Sequence, residues 1–367
     1  MHCLRRVALK KPSAPPIESH RVKNFAVLLR LVVVTVAGTM MLHARALENA
    51  APAFHLYVTN EEAGTVSIID GVTETVTDTI PVGKRPRGIH LSPDGKSAYV
   101  TLSGRPMGGP GVDELTLPPA DKKADGIGVI DIALKKVVGK LPSGSDPEQF
   151  DITQDGALLI ISNEDEAMAS ILDIQAGKIV AEIPVGEEPE GVKLDSANKF
   201  AYITCESSAE IHAVNIQTRT HAGSLKVGPR PRTIVIMPDG AHAYVPSELG
   251  AKIYKIALHP LAVEKVIDTP GEQVRPMGTM LSADGKRLFV TTGHAGLVLV
   301  VDTDSDTIVK RIPVGKRPWG IVLSPDGKKL YTANGLTNDV TVVSTETYEV
   351  LKKIPVGVKP WGIAVGK

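Results

Sequence analysis

Thiols are almost missing from this chain: its 367 residues include only Cys3 and Cys205. Neither a CxxC motif nor a CxxCH haem attachment is present, and no disulfide framework can carry the fold. The histidines show no His-x-x-x-His ligand spacing, and neither a G-x-S-x-G elbow nor a P-loop occurs. Aromatic residues make up only 4%, and neither sign of charge dominates, with 41 basic against 41 acidic residues. The apolar stretch at 31–42 is twelve residues long, whereas a bilayer-spanning helix takes about 20. What is plentiful is glycine, 34 residues, and proline, 27. That composition fits many short strands joined by tight turns.

The apolar stretch follows Arg21, Lys23 and Arg30 and precedes His43-Ala44-Arg45-Ala46. A basic region, an apolar region and a small-x-small site together predict a secretory signal peptide cut after Ala46, with residues 1–20 as an upstream extension. The expected organisation is a leader at 1–46 and one array at 47–367, exported to the periplasm or beyond and free of a membrane span. Cleavage would remove eight basic residues and one acidic residue, leaving 33 against 40 and a formal charge of −7. Such a product is a poor match for nucleic acid, which selects a net basic face. Cys205 would be its sole thiol. With no base partner evident, it reads as a half-buried inert thiol rather than a nucleophile.

One phrase is written seven times: IPVGKRPRGI from Ile80, LPSGSDPEQF from Leu141, IPVGEEPEGV from Ile183 and LKVGPRPRTI from Leu225, then DTPGEQVRPMGT from Asp268, IPVGKRPWGI from Ile312 and IPVGVKPWGI from Ile354. Its later proline falls at Pro86, Pro147, Pro189, Pro231, Pro276, Pro318 and Pro360, so the gaps are 61, 42, 42, 45, 42 and 42 residues. A unit of about 42 residues is the length of a four-stranded propeller blade. Each unit reads as strand a, an SPDG-like hairpin, strand b, a loop, strand c, a short turn and strand d. Asp-Gly between apolar runs is a strong hairpin signal. It recurs at Asp94, Asp155, Asp239, Asp284 and Asp326, and decays to Ser196-Ala197-Asn198 in the third unit. The last unit stops after strand a, while three strands, at 56–59, 66–69 and 76–82, precede the first complete unit. Joining them predicts an all-β, seven-bladed propeller whose last blade closes the ring.

Leu56-Tyr57-Val58-Thr59-Asn60, followed by Val66-Ser67-Ile68-Ile69-Asp70, resembles the YVTN family of propeller repeats, and the resemblance covers residues 55–367. DPEQF at Asp146, SNEDE at Ser162, EEPEG at Glu187, PRPR at Pro229, RPWG at Arg317 and YTANGLTNDV at Tyr331 follow in order. Together they are similar to the seven-repeat propeller proteins associated with pyrroloquinoline-quinone-dependent alcohol catabolism. The resemblance implies an exported accessory propeller working beside quinoprotein dehydrogenases and a transport system. It carries no established reaction, and pyrroloquinoline quinone is the one cofactor it brings into view.

Function is then to be sought where the repeats differ. Asp302-Thr303-Asp304-Ser305-Asp306 looks like a calcium loop but lacks the glycine and distal glutamate such a loop needs. Asp302 also aligns with Asp70, Asp131 and Asp173, as a turn residue. The proline phrase joins strand d to strand a, so its residues should ring the channel mouth. Before the proline stand Arg85, Asp146, Glu188, Arg230, Arg275, Arg317 and Lys359. After it stand Arg87, Glu148, Glu190, Arg232, Met277, Trp319 and Trp361. The expected mouth has an acidic sector on blades 2 and 3, where Glu164, Asp165, Glu166 and Glu206 add to it. A broad basic sector faces it, with two indoles as a flat stacking surface for a planar anion or an acidic protein patch. The alternative is that these charges pair across neighbouring loops and hold the ring together. Four residues after their prolines, His90, Asp151 and Lys193 fall on consecutive blades, either as an acid–base set or as a hydrated structural network. The 19-residue excess in the first gap lies in the loop at 103–125, expected to project over the same mouth as a lid or docking arm.

The leading expectation is a non-catalytic binding or scaffolding propeller, monomeric, that engages a small anionic ligand or a periplasmic partner. The partner would be a quinoprotein dehydrogenase, a cytochrome c or a transport component. The alternatives are a propeller enzyme, lactonase-like or a quinone-linked oxidoreductase, and a single-stranded nucleic-acid binder using the tryptophan and arginine rim.

Overall fold

A computed structural model describes residues 11–13, 53–108 and 116–366. The expected leader therefore lies outside the described residues, apart from 11–13, as does the tip of the 103–125 loop. Among the described residues, no helix is long and apolar enough to cross a membrane. The strands fall into seven four-stranded antiparallel sheets. Blade 1 holds Ile89–Leu91, Ser97–Leu102, Gly126–Asp131 and Lys136–Leu141 as strands a to d. Blade 7 is assembled as the repeat predicts. Its strand a, Pro360–Gly366, pairs with His55–Asn60, which sets Leu56 opposite Val365 and Tyr57 opposite Ala364. The inner strand of the last blade thus comes from the C-terminus and the outer three from the N-terminal side, which closes the ring of blades.

Strands b and c are buried nearly throughout, and strand d lies at the perimeter with most residues exposed. The apolar core is consequently spread between blades. Tyr57, Val66 and Ile68 of blade 7 pack with Ile89, Val100 and Ile130 of blade 1, and Tyr202, Tyr244 and Tyr331 are fully buried. Each such side chain contributes about 1.5–3 kcal/mol by leaving water.

The threonine of the YVTN phrase has a defined task. From strand b of one blade its hydroxyl donates to the carbonyl of the residue after the proline in the next: Thr59 to Arg87 at 2.8 Å, Thr101 to Glu148 at 2.9 Å, Thr204 to Arg232 at 2.6 Å and Thr291 to Trp319 at 3.0 Å. Ser162 does the same for Glu190 at 2.5 Å. In blade 4 the position is Pro246, and Thr233 takes over by donating to the Met277 carbonyl at 2.7 Å. The glycine after this position permits the approach. A Cβ on Gly278 would lie 2.2 Å from the Trp319 carbonyl oxygen, and one on Gly362 would lie 2.3 Å from that of Arg87. Six of the seven blades therefore fix the backbone of the neighbour's mouth residue, while Thr332 of blade 6 donates to Asn334 Oδ1 at 3.1 Å instead.

The turns behave as their sequence demands. In the decayed third hairpin Asn198 takes φ 52, standing in for the glycines that hold φ 66 to 71 in the others. Asp70, Asp131, Asp173 and Asp302 each accept a backbone N–H from two or three residues on, which accounts for the calcium-loop look-alike as a turn. Cys205 is fully buried, and burial pushes its thiol up to about 12.

Candidate binding site at the channel mouth

In blades 2, 3, 5, 6 and 7 strand a begins at the proline itself, as in Pro147–Ile152 and Pro318–Leu323. The residue after the proline therefore sits on the innermost strand and turns into the channel. This overturns the expectation of an exposed ring. Arg87, Glu148, Glu190, Arg232, Met277, Trp319 and Trp361 are only 1–7% exposed and meet across the axis as a plug. The residues before the proline stay at the rim, and in six of the seven phrases they adopt the left-handed region, with φ 41 for Arg85 and 54 for Arg317 and Lys359. Arg275 is the exception: in its irregular phrase Gln273 takes that conformation instead, with φ 58.

Blades 1 to 4 fill their part of the plug with ion pairs. Arg87 binds Asp146 and Glu148 through its two terminal nitrogens and lies 3.8 Å from Glu164. Arg232 reaches Glu190 at 2.7 Å and Glu248 at 2.6 Å, and also contacts Glu206, which Arg230 holds through Nε at 2.6 Å. Six carboxylates thus surround two buried guanidinium groups, and negative charge is in excess. The imbalance falls on Glu148. Its burial, outweighing Arg87 and reinforced by Glu190 and Glu164, pushes its carboxyl well above the usual glutamate value. Burial also raises Glu164. Asp146 goes the other way: burial opposes ionisation, yet Arg87, Ser103 and Arg85 hold it below the ordinary value. Oxygens of Asp146, Glu148 and Glu164 lie within 4.8 Å of one another, a spacing that could hold a metal ion, but Arg87 already supplies positive charge there.

Blades 5 to 7 fill theirs with apolar groups. Trp319 and Trp361 stack with centroids 4.9 Å apart and planes at 24°, against Met277. Arg232 covers the other face of Trp319 at 4.9 Å from its ring. The expected flat stacking surface is therefore occupied by the protein's own side chains, and the indoles form a floor instead. Above it lies a cavity of about 460 Å³, walled by both sectors and by Arg105 to Gly108 at the base of the long loop. That base is pinned: Arg105 meets Asp165 at 2.5 Å, Lys122 meets Asp165 at 2.9 Å and Lys84 meets Asp121 at 2.8 Å.

The broad basic sector also contracts. Arg87, Arg230 and Arg232 are paired as above, Arg85 bonds Glu61 at 2.9 Å, and Lys359 meets Glu62 at 2.8 Å. Among the described residues, Arg275 and Arg317 of this ring have no ion-pair partner. Both border the cavity together with His294. Burial, and then Arg232 nearby, push Arg317 below the usual arginine value. His294 is lowered by burial and by Arg275 and Arg317, so its imidazole is neutral at pH 7.

One column of the repeat explains the difference, and the sequence reading missed half of it. The first residue after strand b is Glu61, Glu164, Glu206 and Glu248 in blades 7, 2, 3 and 4, but Ser103, Gly293 and Gly335 in blades 1, 5 and 6. An arginine before the proline bonds the glutamate of the preceding blade, as Arg85 does with Glu61 and Arg230 with Glu206. Arg317 finds Gly293 there instead. Arg275 finds Glu248 already bound to Arg232.

His90, Asp151 and Lys193 do come together. Asp151 accepts Lys193 Nζ at 2.8 Å and the backbone N–H groups of Ile152 and Leu194 at 3.0 Å, and His90 Nδ1 stands 3.9 Å from it. Burial lowers His90, and Lys193 and His90 hold Asp151 low against its own burial. The aspartate is tied to lysine and backbone and is not hydrogen-bonded to the imidazole, the arrangement of a structural network.

Residues 195–323 match the family model described as YNCE-like beta-propeller. The chain is a seven-bladed propeller, and this stretch, about a third of it, is similar to that family. No curated protein matches it in sequence. Among solved structures, hydrazine synthase of Kuenenia stuttgartiensis is 21% identical with a TM-score of 0.65, over 76% of this chain and 88% of that one. A candidate 6-phosphogluconolactonase from Bacteroides fragilis is 17% identical with a TM-score of 0.70, over 87% and 99%. The dihydro-heme d1 dehydrogenase NirN in complex with DHE is 14% identical with a TM-score of 0.61, over 84% and 74%. At these identities the likeness is one of fold alone.

Proposed function

We propose that this chain is an exported, non-catalytic binding propeller that holds a small organic anion at its mouth, between Arg275 and Arg317. The observation that carries the reading is the absence of carboxylate partners for these two arginines, among the described residues, in a mouth where the neighbouring arginines have them. A guanidinium held at the rim by a fixed backbone binds a carboxylate or phosphate through paired hydrogen bonds. The neutral His294 adds a further donor or acceptor, and a cavity of about 460 Å³ suits a ligand of cofactor size. The finer reading, a role beside quinone-linked alcohol oxidation, is supported by the repeat phrases and by the charge match between a polycarboxylate such as pyrroloquinoline quinone and two arginines without ion-pair partners among the described residues.

Both tryptophans of the chain lie at this mouth, so its intrinsic tryptophan fluorescence reports on the site. Titration with citrate, a sugar phosphate and pyrroloquinoline quinone should shift that emission saturably for at least one of them. Arg317→Ala should weaken that binding at least tenfold. Equal binding by the Arg317→Ala and Arg275→Ala variants and the parent chain would overturn the assignment.

A further inference from the structure

The chain has no histidine pair at helical ligand spacing, but the hairpin between strands c and d of blade 3 makes one across nine residues. His212 lies in Glu210–Asn215 and His221 in Thr220–Lys226. A register shift between Ala213 and Val214 sets His221 opposite Val214, diagonal to His212. His212 Nδ1 and His221 Nε2 are 3.0 Å apart, with ring centroids at 5.0 Å. On its other side, His212 Nε2 is 3.1 Å from Glu210 Oε2. An ionised carboxylate only accepts, so Nε2 directs its hydrogen at Glu210, and in the neutral ring Nδ1 keeps a lone pair aimed at His221. A carboxylate that fixes the tautomer and tilt of an imidazole is the usual support of a metal-ligating histidine. Two nitrogens bound to one ion at about 2.0 Å lie about 2.8 Å apart at a right angle and about 3.3 Å apart at the tetrahedral angle. The observed separation falls between these values.

We propose that His212 Nδ1 and His221 Nε2 form a site for one divalent late transition-metal ion, with copper(II) bound most tightly and Glu210 as the positioning carboxylate. The ion replaces the hydrogen that the two rings share. His221 passes to its Nδ1–H tautomer, the proton moving from Nε2 to Nδ1 through solvent, so both ligands stay neutral imidazoles, and water fills the remaining coordination positions. Imidazole donors suit copper, nickel and zinc, and copper(II) heads the divalent affinity order. Magnesium and calcium seek oxygen ligands, and the two donors here are nitrogens. The site stands on the outer strands of blade 3 and shares no residue with the mouth, so the two assignments succeed or fail separately.

The test is titration of the purified full chain with copper(II) alone, followed by calorimetry and electron paramagnetic resonance. One equivalent should bind with the signature of two nitrogen ligands. His221 is exposed, so His221→Gln should leave thermal unfolding unchanged while weakening copper binding at least tenfold. Glu210→Gln should weaken it about tenfold with both nitrogens still in the signature. Copper uptake identical in the His221→Gln variant and the parent chain, or no stoichiometric uptake by the parent, would overturn the site.

Discussion

Blades 1 to 4 and blades 5 to 7 carry the same loop phrase, yet the arginines of the first group lie among carboxylates while Arg275 and Arg317 of the second face the cavity alone. The contrast separates two uses of one residue type. Where glutamate follows strand b, arginine becomes part of the plug and its worth is structural. Where that glutamate is replaced by glycine, as for Arg317, or already taken, as Glu248 is for Arg275, the arginine has no ion-pair partner among the described residues. The sharpest way to break this contrast is to remove one arginine from each side. Arg232→Met would strand Glu190 and Glu248 in a buried site without their bound guanidinium, leave Glu206 to Arg230 alone, and should cost about 3–5 kcal/mol of unfolding free energy. Arg317→Met should stay within about 0.5 kcal/mol, because no partner is orphaned. Denaturant titration of the two variants measures both. Losses of equal size would erase the distinction between the sectors.

The next experiment turns one sector into the other. Gly335 follows strand b of blade 6 and borders the cavity, and a Cβ there would meet only the Pro360 and Arg317 carbonyl oxygens, at 3.3 and 3.5 Å. Glutamate is therefore admissible and would place a carboxylate beside Arg317, as Glu248 stands 3.9 Å from Arg230 in blade 4. Gly335→Glu should lower anion affinity about tenfold, or about 1.4 kcal/mol, while Gly335→Ala should bind as the parent chain does. Loss of binding in both variants would point to backbone disturbance instead of charge.

The blade count, the closing pair of strands and the decayed hairpin at Asn198 could all be read from the chain, because each follows from local residue chemistry repeated at a fixed interval. The sign of every mouth charge was legible as well. Which charges face water was not. That depends on strand a starting at the proline, which follows from cross-blade hydrogen bonds such as Thr291 to Trp319 that no single repeat displays. Glu61, Glu248 and His294 were also missed as site residues. Reading down the column after strand b would have found all but the histidine.

A pH series separates two kinds of carboxylate inside the paired sector. Glu148 has a folded pKa above the ordinary glutamate value, so its contribution to stability is full below that ordinary value and is lost as pH rises through the folded pKa. Asp146 and Glu248 have lowered values, so their contributions are present above the ordinary carboxylate range and are lost as pH falls. Glu148→Gln removes the first dependence and keeps the second. Its melting temperature should therefore decline less than that of the parent as pH rises above the ordinary carboxylate range, with the same loss on the acid side. Parallel curves on the alkaline side would mean that Glu148 is ionised in the folded protein.

The smallest expected effect decides whether pairing or mere sign of charge divides the mouth. Lys359 is the third cation on the basic side and borders the same cavity, but its ammonium meets Glu62 at 2.8 Å where both side chains are about half exposed. If positive potential alone drew the anion, Lys359→Ala would weaken binding nearly as much as Arg317→Ala. If binding needs a guanidinium without a partner, the change should stay below about twofold, since the ammonium is engaged by Glu62 and water screens the one charge removed. Stability should move by about 0–1 kcal/mol, the range for exposed pairs. Affinity measured by tryptophan emission at low and at physiological salt resolves the two cases. A tenfold loss confined to low salt would make the mouth an electrostatic funnel, and no loss at either salt would leave Arg275 and Arg317 as its specific ligands.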